Sequence, residues 1–468
     1  MPVLGPHSWR QADTAAIARH FAEGGMAWWL PQIDWAGAGP GYVEAEFPLY
    51  PYALALLHRL LGVHDELGRL LSLLCSLATI WLLVRLGERL LGPGAGRWGG
   101  LIFALSPLAV YYGRSVQAES LLLLLAALCV ERLLSWRDSG RRRDLLISWL
   151  SFCACALMKV MPLLWLGLAV ATWWVPGQSL PRNLRRPGLW LYGLSALALT
   201  AAWYLHAHAL GQSSGLSFGF WAGDTNRYRM ALLIGPRYVP ELLLRLSLRG
   251  LAIAGLPLLL IGAWQTRRQS GGRGLLISAA AVLLAGAMAP ESSLVHEYYQ
   301  LPLLLWLCPL AGAGLAWLVA RRGTGARRAA VGLLVVFSLC SLTILSLDYW
   351  RPERQQAADL LPLAAAIQAS TQGQDRIVAV SGGDPTLLNL ARRQGWLADP
   401  ANVSEASLRQ WRAQGARHIA GSFQRVESYR MFSSEQERRQ LQTTLCRQLS
   451  KADDCHFERP FFVIPLQP

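Results

Sequence analysis

The sequence predicts an α-helical polytopic membrane protein with a small α/β domain at its C-terminal end. Three observations lead there. Apolar runs of membrane-spanning length recur through the first 350 of the 468 residues, and a bilayer core takes roughly 20 apolar residues per helix. Only 16% of the residues are charged and 53% are hydrophobic, whereas soluble domains carry about 25% charged residues. Beyond residue 348 the composition turns polar, and short strand-like segments alternate with helical ones.

Ten apolar segments read as spans: 66–86, 98–112, 118–135, 145–160, 161–175, 188–209, 248–264, 274–289, 300–319 and 329–347. Three regions follow: a first loop with an acidic motif and interfacial helices (1–65), a transmembrane domain (66–347) and a soluble domain (348–468). No internal repeat of solenoid period is present.

Arginines orient these spans. Segments 85–97, 132–144, 176–187, 265–274 and 320–328 together hold eighteen of them, whereas 290–300 has none. Positive loops stay cytoplasmic, so residues 1–65, the 210–247 loop and the tail are expected on the extracytoplasmic face of a cell inner membrane. This placement also accounts for the net charge of +15. No basic stripe is interleaved with aromatics, so nucleic acid is not an expected partner. No apolar signal core precedes the motif at His7–Asp13. Either a short N-terminus crosses unaided or a first span lies upstream of this chain; orientation from the first helix favours the latter.

The tail is expected to hold helices at 350–369, 386–395, 404–414 and 433–450, with strands at 376–381, 417–421 and 460–466. Gly382-Gly383 after the first strand lacks the spaced glycines and Lys-Ser/Thr of a phosphate loop, so a plain turn is expected. Six cysteines (75, 129, 153, 155, 308 and 340) fall in apolar helices as small hydrophobes. Cys446 and Cys455 could form one disulfide in an oxidising compartment.

Polar residues that could do chemistry gather at the outer ends of the spans. The first loop offers Asp13, Asp34, Glu44 and Glu46, with Arg10 and Tyr50 close in sequence. Trp9, Trp28, Trp29 and Trp35 read as an interfacial belt. Glu119 opens a leucine-rich helix, where it either faces a cleft or favours the helix dipole as a first-turn acid. Lys159 sits at an outer span end, where snorkelling to headgroups is the alternative to function. His296 and Glu297 precede Tyr298 and Tyr299. They would suit a divalent metal, but the His-x-x-x-His spacing of a His-Glu-x-x-His site is absent, so no metal ligand and no certain cofactor are assigned.

Four stretches in this order resemble the GT-C superfamily of glycosyltransferases: His7-Ser8-Trp9-Arg10-Gln11-Ala12-Asp13-Thr14, Glu46-Phe47-Pro48-Leu49-Tyr50-Pro51, Tyr112-Gly113-Arg114-Ser115 through Glu119, and His296-Glu297-Tyr298-Tyr299-Gln300-Leu301-Pro302. The chain is most similar to the bacterial branch of family 39, related to protein O-mannosyltransferases and lipid A aminoarabinose transferases, over about residues 7–350. That resemblance implies a GT-C-type fold and a sugar donor on a polyprenyl phosphate. The acceptor would be a lipid, glycan or protein at the outer face, and membrane lipids the surroundings. It implies Asp13 as the base, with Glu46 and Glu119 as further catalytic carboxylates. Arg114, Lys159, His296 and Tyr298 become candidates for the donor phosphate, and Arg10, Glu44, Tyr50, Glu297 and Tyr299 for acceptor binding or support. Asp13, Glu46 and Glu119 would then line one outward-facing cavity, and transfer would proceed with inversion, because retention needs a carboxylate nucleophile.

Two other readings compete. A transporter or flippase of lipid-linked sugars would carry charged residues near mid-membrane and broken helices in two related halves, but here the acidic residues gather at one face. A non-catalytic membrane scaffold is the other.

Overall fold

Apolar length, proline and serine set the helices. The computed structural model describes residues 2–175, 177–218, 229–424, 435–448, 457 and 459–466. The predicted spans fall largely on helix, but not every one is a single long rod. Among the described residues, five helices are long and apolar enough to cross a bilayer: Asp65–Leu91, Pro187–Ser214, Ser270–Met288, Glu297–Ala320 and Thr324–Ser370. A sixth counts if Tyr238–Gly250 and Gly255–Thr266, bent by 100°, form one broken span.

The expected ten therefore need correcting. Segment 98–112 divides at Ser106 into Ala95–Leu105 and Pro107–Tyr112, with Pro107 at the first helical position. Segments 145–160 and 161–175 are the shorter helices Arg142–Met158 and Pro162–Trp173. Segment 118–135 extends to Glu119–Ser139, where Glu131 and Arg132 interrupt the apolar run.

Breaks in helices free backbone groups that a bilayer cannot satisfy, so neighbouring side chains must do so. The Ser106 hydroxyl donates to the Gly250 carbonyl at 2.7 Å, beside the bend. Ser341 donates to the Leu105 carbonyl at 2.5 Å, at the other break. Ile253, within the break between Tyr238–Gly250 and Gly255–Thr266, has φ 59°, an unfavourable conformation for a β-branched residue.

By internal contacts the chain divides into two units. One comprises Arg69–Ala207 and Trp221–Ser346 and contains most of the apolar helices. Its helices Gly255–Thr266 and Glu297–Ala320 approach closely: a Cβ on Gly262 would lie 1.7 Å from the Leu310 carbonyl oxygen. Small residues permit this backbone approach where lipid supplies no hydrophobic drive between helices.

The other unit comprises Met1–Gly68, His208–Phe220 and Leu347–Pro468. Its sheet is formed by β1 (Arg376–Val380), β2 (Gly395–Ala398), β3 (Ala416–Ser422) and β4 (Phe461–Pro465), in the order β2-β1-β3-β4. β2, β1 and β3 are parallel, and β4 is antiparallel to β3. Alternation on β1 sends Ile377 and Ala379 to a core with Leu360, Leu363 and Ile367, and Val378 and Val380 to a second core with Leu408, Ile419 and Leu441. Both faces are covered, as parallel strands require.

β2 was not expected. The predicted helix 386–395 stops at Ala391, because Arg392 turns left-handed at φ 51°. Gly395 then opens the strand at φ 154°, where a Cβ would lie 1.9 Å from the Ile377 carbonyl oxygen; only glycine fits there. The Gly382-Gly383 segment is a turn, both residues having positive φ, closed by Ser381 Oγ donating to the Asp384 carbonyl at 2.7 Å. The helix expected at 433–450 is Glu435–Gln448. Cys446 is disulfide-bonded; Cys455, its expected partner, lies outside the described residues.

Candidate functional site

The first helix, Ser8–Glu23, lies with most of its residues buried, packed on Leu49–Leu61 and Thr386–Ala391. Asp13 points into this packing and is 3% exposed. Burial pushes its carboxyl up to about 7, because desolvation disfavours the charged form. Two groups oppose that shift: Trp35, whose indole N–H donates to Asp13 Oδ1 at 2.9 Å, and the Arg10 guanidinium. The carboxylates of Asp384 and Asp34 reinforce it. Asp13 is thus a carboxyl that exchanges its proton near neutrality.

Arg10, one helical turn before Asp13, forms an ion pair with Glu46 and lies 5.1 Å from the centroid of the Phe218 ring. Arg10 thus pairs with Glu46 while its charge also acts on Asp13. Burial works against ionisation of Asp34, but two bonds from Arg19 Nη2, at 2.7 and 2.6 Å, and His20 at 3.0 Å outweigh it. Its carboxyl is held below the usual range, which makes it a fixed anion. Glu44 is buried, accepts from the Ser217 hydroxyl and has His208 Nδ1 at 3.9 Å.

In the other unit Glu119 and Lys159 form an ion pair with both side chains largely buried. Glu119 is the first-turn acid of Glu119–Ser139, as the helix-dipole reading expects, and its carboxylate also pairs with Lys159. Lys159 does not snorkel: its ammonium lies 4.8 Å from the Tyr298 ring centroid and 5.0 Å from that of Tyr299, within cation–π range. His296 stacks on Tyr298 at 5.2 Å and 17°. Glu297 accepts from the Tyr112 hydroxyl at 2.8 Å and pairs with Arg249. Arg114 lies 5.4 Å from the Tyr111 ring centroid.

The predicted residues accordingly fall into two groups: Arg10, Asp13, Glu44 and Glu46 in one unit, and Glu119, Lys159, Glu297, Tyr298 and Tyr299 with His296 in the other. Tyr50 is fully buried, its hydroxyl donating to the Gly68 carbonyl at 2.8 Å, a position that fits support rather than direct acceptor contact. The pair His296 and Glu297 is engaged by an aromatic ring and by Arg249 and Tyr112. Among the described residues, no cluster of three or more His, Cys, Asp or Glu side chains is arranged to hold a metal ion.

Sequence reasoning missed three participants. Trp35 reads as a belt residue, but it binds Asp13. Asp384 lies far from Asp13 along the chain, with no local signal. Arg249 falls at the edge of an apolar run; its signal was an arginine at the outer end of a span.

Residues 44–206 match the family model described as dolichyl-phosphate-mannose-protein mannosyltransferase. The structure resembles ArnT from Cupriavidus metallidurans in the apo state, with a TM-score of 0.64 and 16% identity over 90% of this chain and 89% of that one. It also resembles that protein bound to undecaprenyl phosphate, at 0.57 and 14% over the same shares. A third match is the oligosaccharyltransferase AglB from Archaeoglobus fulgidus, in complex with an inhibitory peptide and a dolichol-phosphate. There the TM-score is 0.56 and the identity 10%, over 91% of this chain and 66% of that one. No curated protein matches the sequence. The chain shares its fold with these ArnT and AglB structures, and it is a multi-pass membrane protein.

Proposed function

We propose that the protein is a membrane glycosyltransferase that moves a sugar from a polyprenyl-phosphate donor to an acceptor at the extracytoplasmic face of the inner membrane, with inversion. The observation that carries this reading is Asp13, a buried carboxyl pushed to about 7 beside Arg10. A general base is most useful when its pKa lies near the working pH. The family match over residues 44–206 and the GT-C fold support the same class.

Asp13 takes the proton of the acceptor hydroxyl or amine as that atom attacks the anomeric carbon. The bond from that carbon to the phosphate oxygen breaks, and polyprenyl phosphate leaves with the electron pair. Phosphate is a good leaving group, so fixed positive charge matters more than a second acid. Lys159, Arg114 and His296 are assigned to that phosphate, with Tyr298 and Tyr299 holding Lys159 in place. Glu119 keeps the lysine oriented, and Glu46 fixes Arg10. Glu44 and Glu297 support their surroundings through Ser217 and through Arg249.

Membranes containing the protein should consume a polyprenyl-phosphate sugar and accumulate polyprenyl phosphate; unchanged donor in the presence of a competent acceptor overturns the reading. Two further outcomes are expected. Replacing Asp384 by Asn removes a neighbouring negative charge, so the acid limb of the kcat/KM profile should move below pH ~7 without loss of the plateau. An unmoved limb would show that Asp384 does not act on Asp13. Cysteines placed in loop 132–144 should be labelled from the cytoplasmic side and those in 1–65 from the outside; the reverse pattern contradicts the proposed orientation.

A further inference from the structure

Beside the Lys159 cluster stand buried polar side chains that the mechanism leaves unused. Gln117 is 1% exposed, and neither its amide nitrogen nor its amide oxygen has a hydrogen-bond partner among the described residues. The same is true of the Ser120 hydroxyl, 2% exposed, and of Gln300 Nε2, whose residue is 6% exposed. Buried polar atoms are almost always paired, because an unpaired one forfeits its hydration without return. Other buried polar atoms among the described residues share this state, Asn183 Oδ1 and Trp306 Nε1 among them, but these three residues adjoin in sequence the side chains gathered around Lys159.

Chain connectivity and the ion pair bring these residues together. Gln117 and Ser120 flank Glu119, which is paired with Lys159. Gln300 follows Tyr299, whose ring centroid lies 5.0 Å from the Lys159 ammonium. Gln117 is held in a tight turn, its backbone N–H donating to the Ser115 carbonyl at 2.9 Å, and Gln300 ends the short helix Glu297–Gln300. Both amides thus sit on constrained backbone next to the group assigned to the donor phosphate.

We infer that Gln117, Ser120 and Gln300 recognise the sugar of the lipid-linked donor through its uncharged hydroxyl groups. A carboxamide with both atoms unpaired can give a hydrogen bond to one hydroxyl and accept one from its neighbour. None of the three carries a charge, so they suit neutral hydroxyls rather than a carboxylate or a second phosphate. In the donor a single oxygen joins the anomeric carbon to phosphorus, so the residues that read the sugar must adjoin those that hold the phosphate. This inference rests on the reading of Lys159 as a phosphate contact.

Binding of full-length protein in lipid nanodiscs to four probes tests it: bare polyprenyl phosphate, and the same lipid phosphate carrying a pentose, a hexose or an N-acetylhexosamine. Wild-type protein should bind at least one sugar-bearing probe more tightly than the bare lipid. Gln117→Leu should weaken that probe about 10–100-fold, because a buried bond to the ligand is lost, yet leave bare polyprenyl phosphate unchanged. Its thermal unfolding should be unaltered or shifted upward, since an unpaired buried amide is removed. Equal loss for sugar-bearing and bare lipid, or a fall in stability with unaltered binding, marks Gln117 as structural and overturns the inference. So does wild-type protein that fails to distinguish any sugar from the bare lipid. Lys159→Met separates the underlying reading: if it binds bare polyprenyl phosphate as well as wild type, the phosphate assignment itself fails.

Discussion

Asp13→Asn should lower turnover by ~10²–10⁴-fold, the usual contribution of a positioned base, while donor binding persists. Asparagine keeps the shape and can still accept from the Trp35 indole N–H, so the loss isolates the proton acceptor. Transfer at the normal rate would remove Asp13 from the mechanism. The same substitution has a second readout. The Asp13 carboxyl titrates at about 7 in the folded chain, against 3.8 for an aspartate free in water, so folding favours its protonated form. Its contribution to stability is therefore complete when the pH is below 3.8 and is lost as pH rises through about 7. A tenfold change in acidity is worth about 1.4 kcal/mol, so holding this carboxylate in the folded chain above neutrality costs about 4 kcal/mol. The Asn variant escapes that cost and should unfold at a higher temperature than wild type at pH ~8, with little difference near pH ~4. A variant less stable than wild type in the alkaline range would show that the carboxyl is not held at the cost inferred here.

Lys159→Met should act on a different parameter. The methionine preserves an unbranched apolar stem but removes the cation from between Glu119 and the two tyrosine rings. Charge-assisted bonds to phosphate are roughly twice as strong as neutral ones, so the variant should need ~10–100-fold more donor for half-saturation. It also leaves Glu119 buried without its cation, which costs stability. The double substitution Lys159→Met with Glu119→Gln removes that uncompensated charge. It should recover stability but not donor affinity. Recovery of both would assign the pair a purely structural role.

The motifs that the proposed site draws on are readable in the sequence because they are local. His7 to Thr14, Glu46 to Pro51, Tyr112 to Glu119 and His296 to Pro302 each carry their chemistry within a few residues at a span end. The apolar segments fall largely on helix for the same reason: apolar length is a local property. What sequence could not yield are the partners. Trp35 is one of several loop tryptophans until the fold sets its N–H on Asp13. Asp384 belongs to a turn after β1 and comes near Asp13 only because Ser8–Glu23 packs on Thr386–Ala391; Thr386 Oγ1 bonds Ser8 Oγ at 3.0 Å across that junction. The break at Ser106 and the bend before Gly255 depend on hydroxyls from distant helices, so uniform apolarity concealed them. β2 was hidden because Leu390-Ala391-Arg392-Arg393, a run of good helix formers, leads straight into it, and it forms because only glycine fits at 395 against Ile377.

The most direct test of the central claim is the pH dependence of polyprenyl phosphate release by the full-length wild-type protein and by Asp13→Asn, with donor and acceptor supplied in liposomes. With Asp13 as base, wild-type kcat/KM should fall roughly tenfold per pH unit below about 7 and level off above it, and the residual rate of Asp13→Asn should lack that limb. A limb near neutrality that survives in Asp13→Asn, or wild-type release that does not depend on pH between ~5 and ~8, would contradict the account.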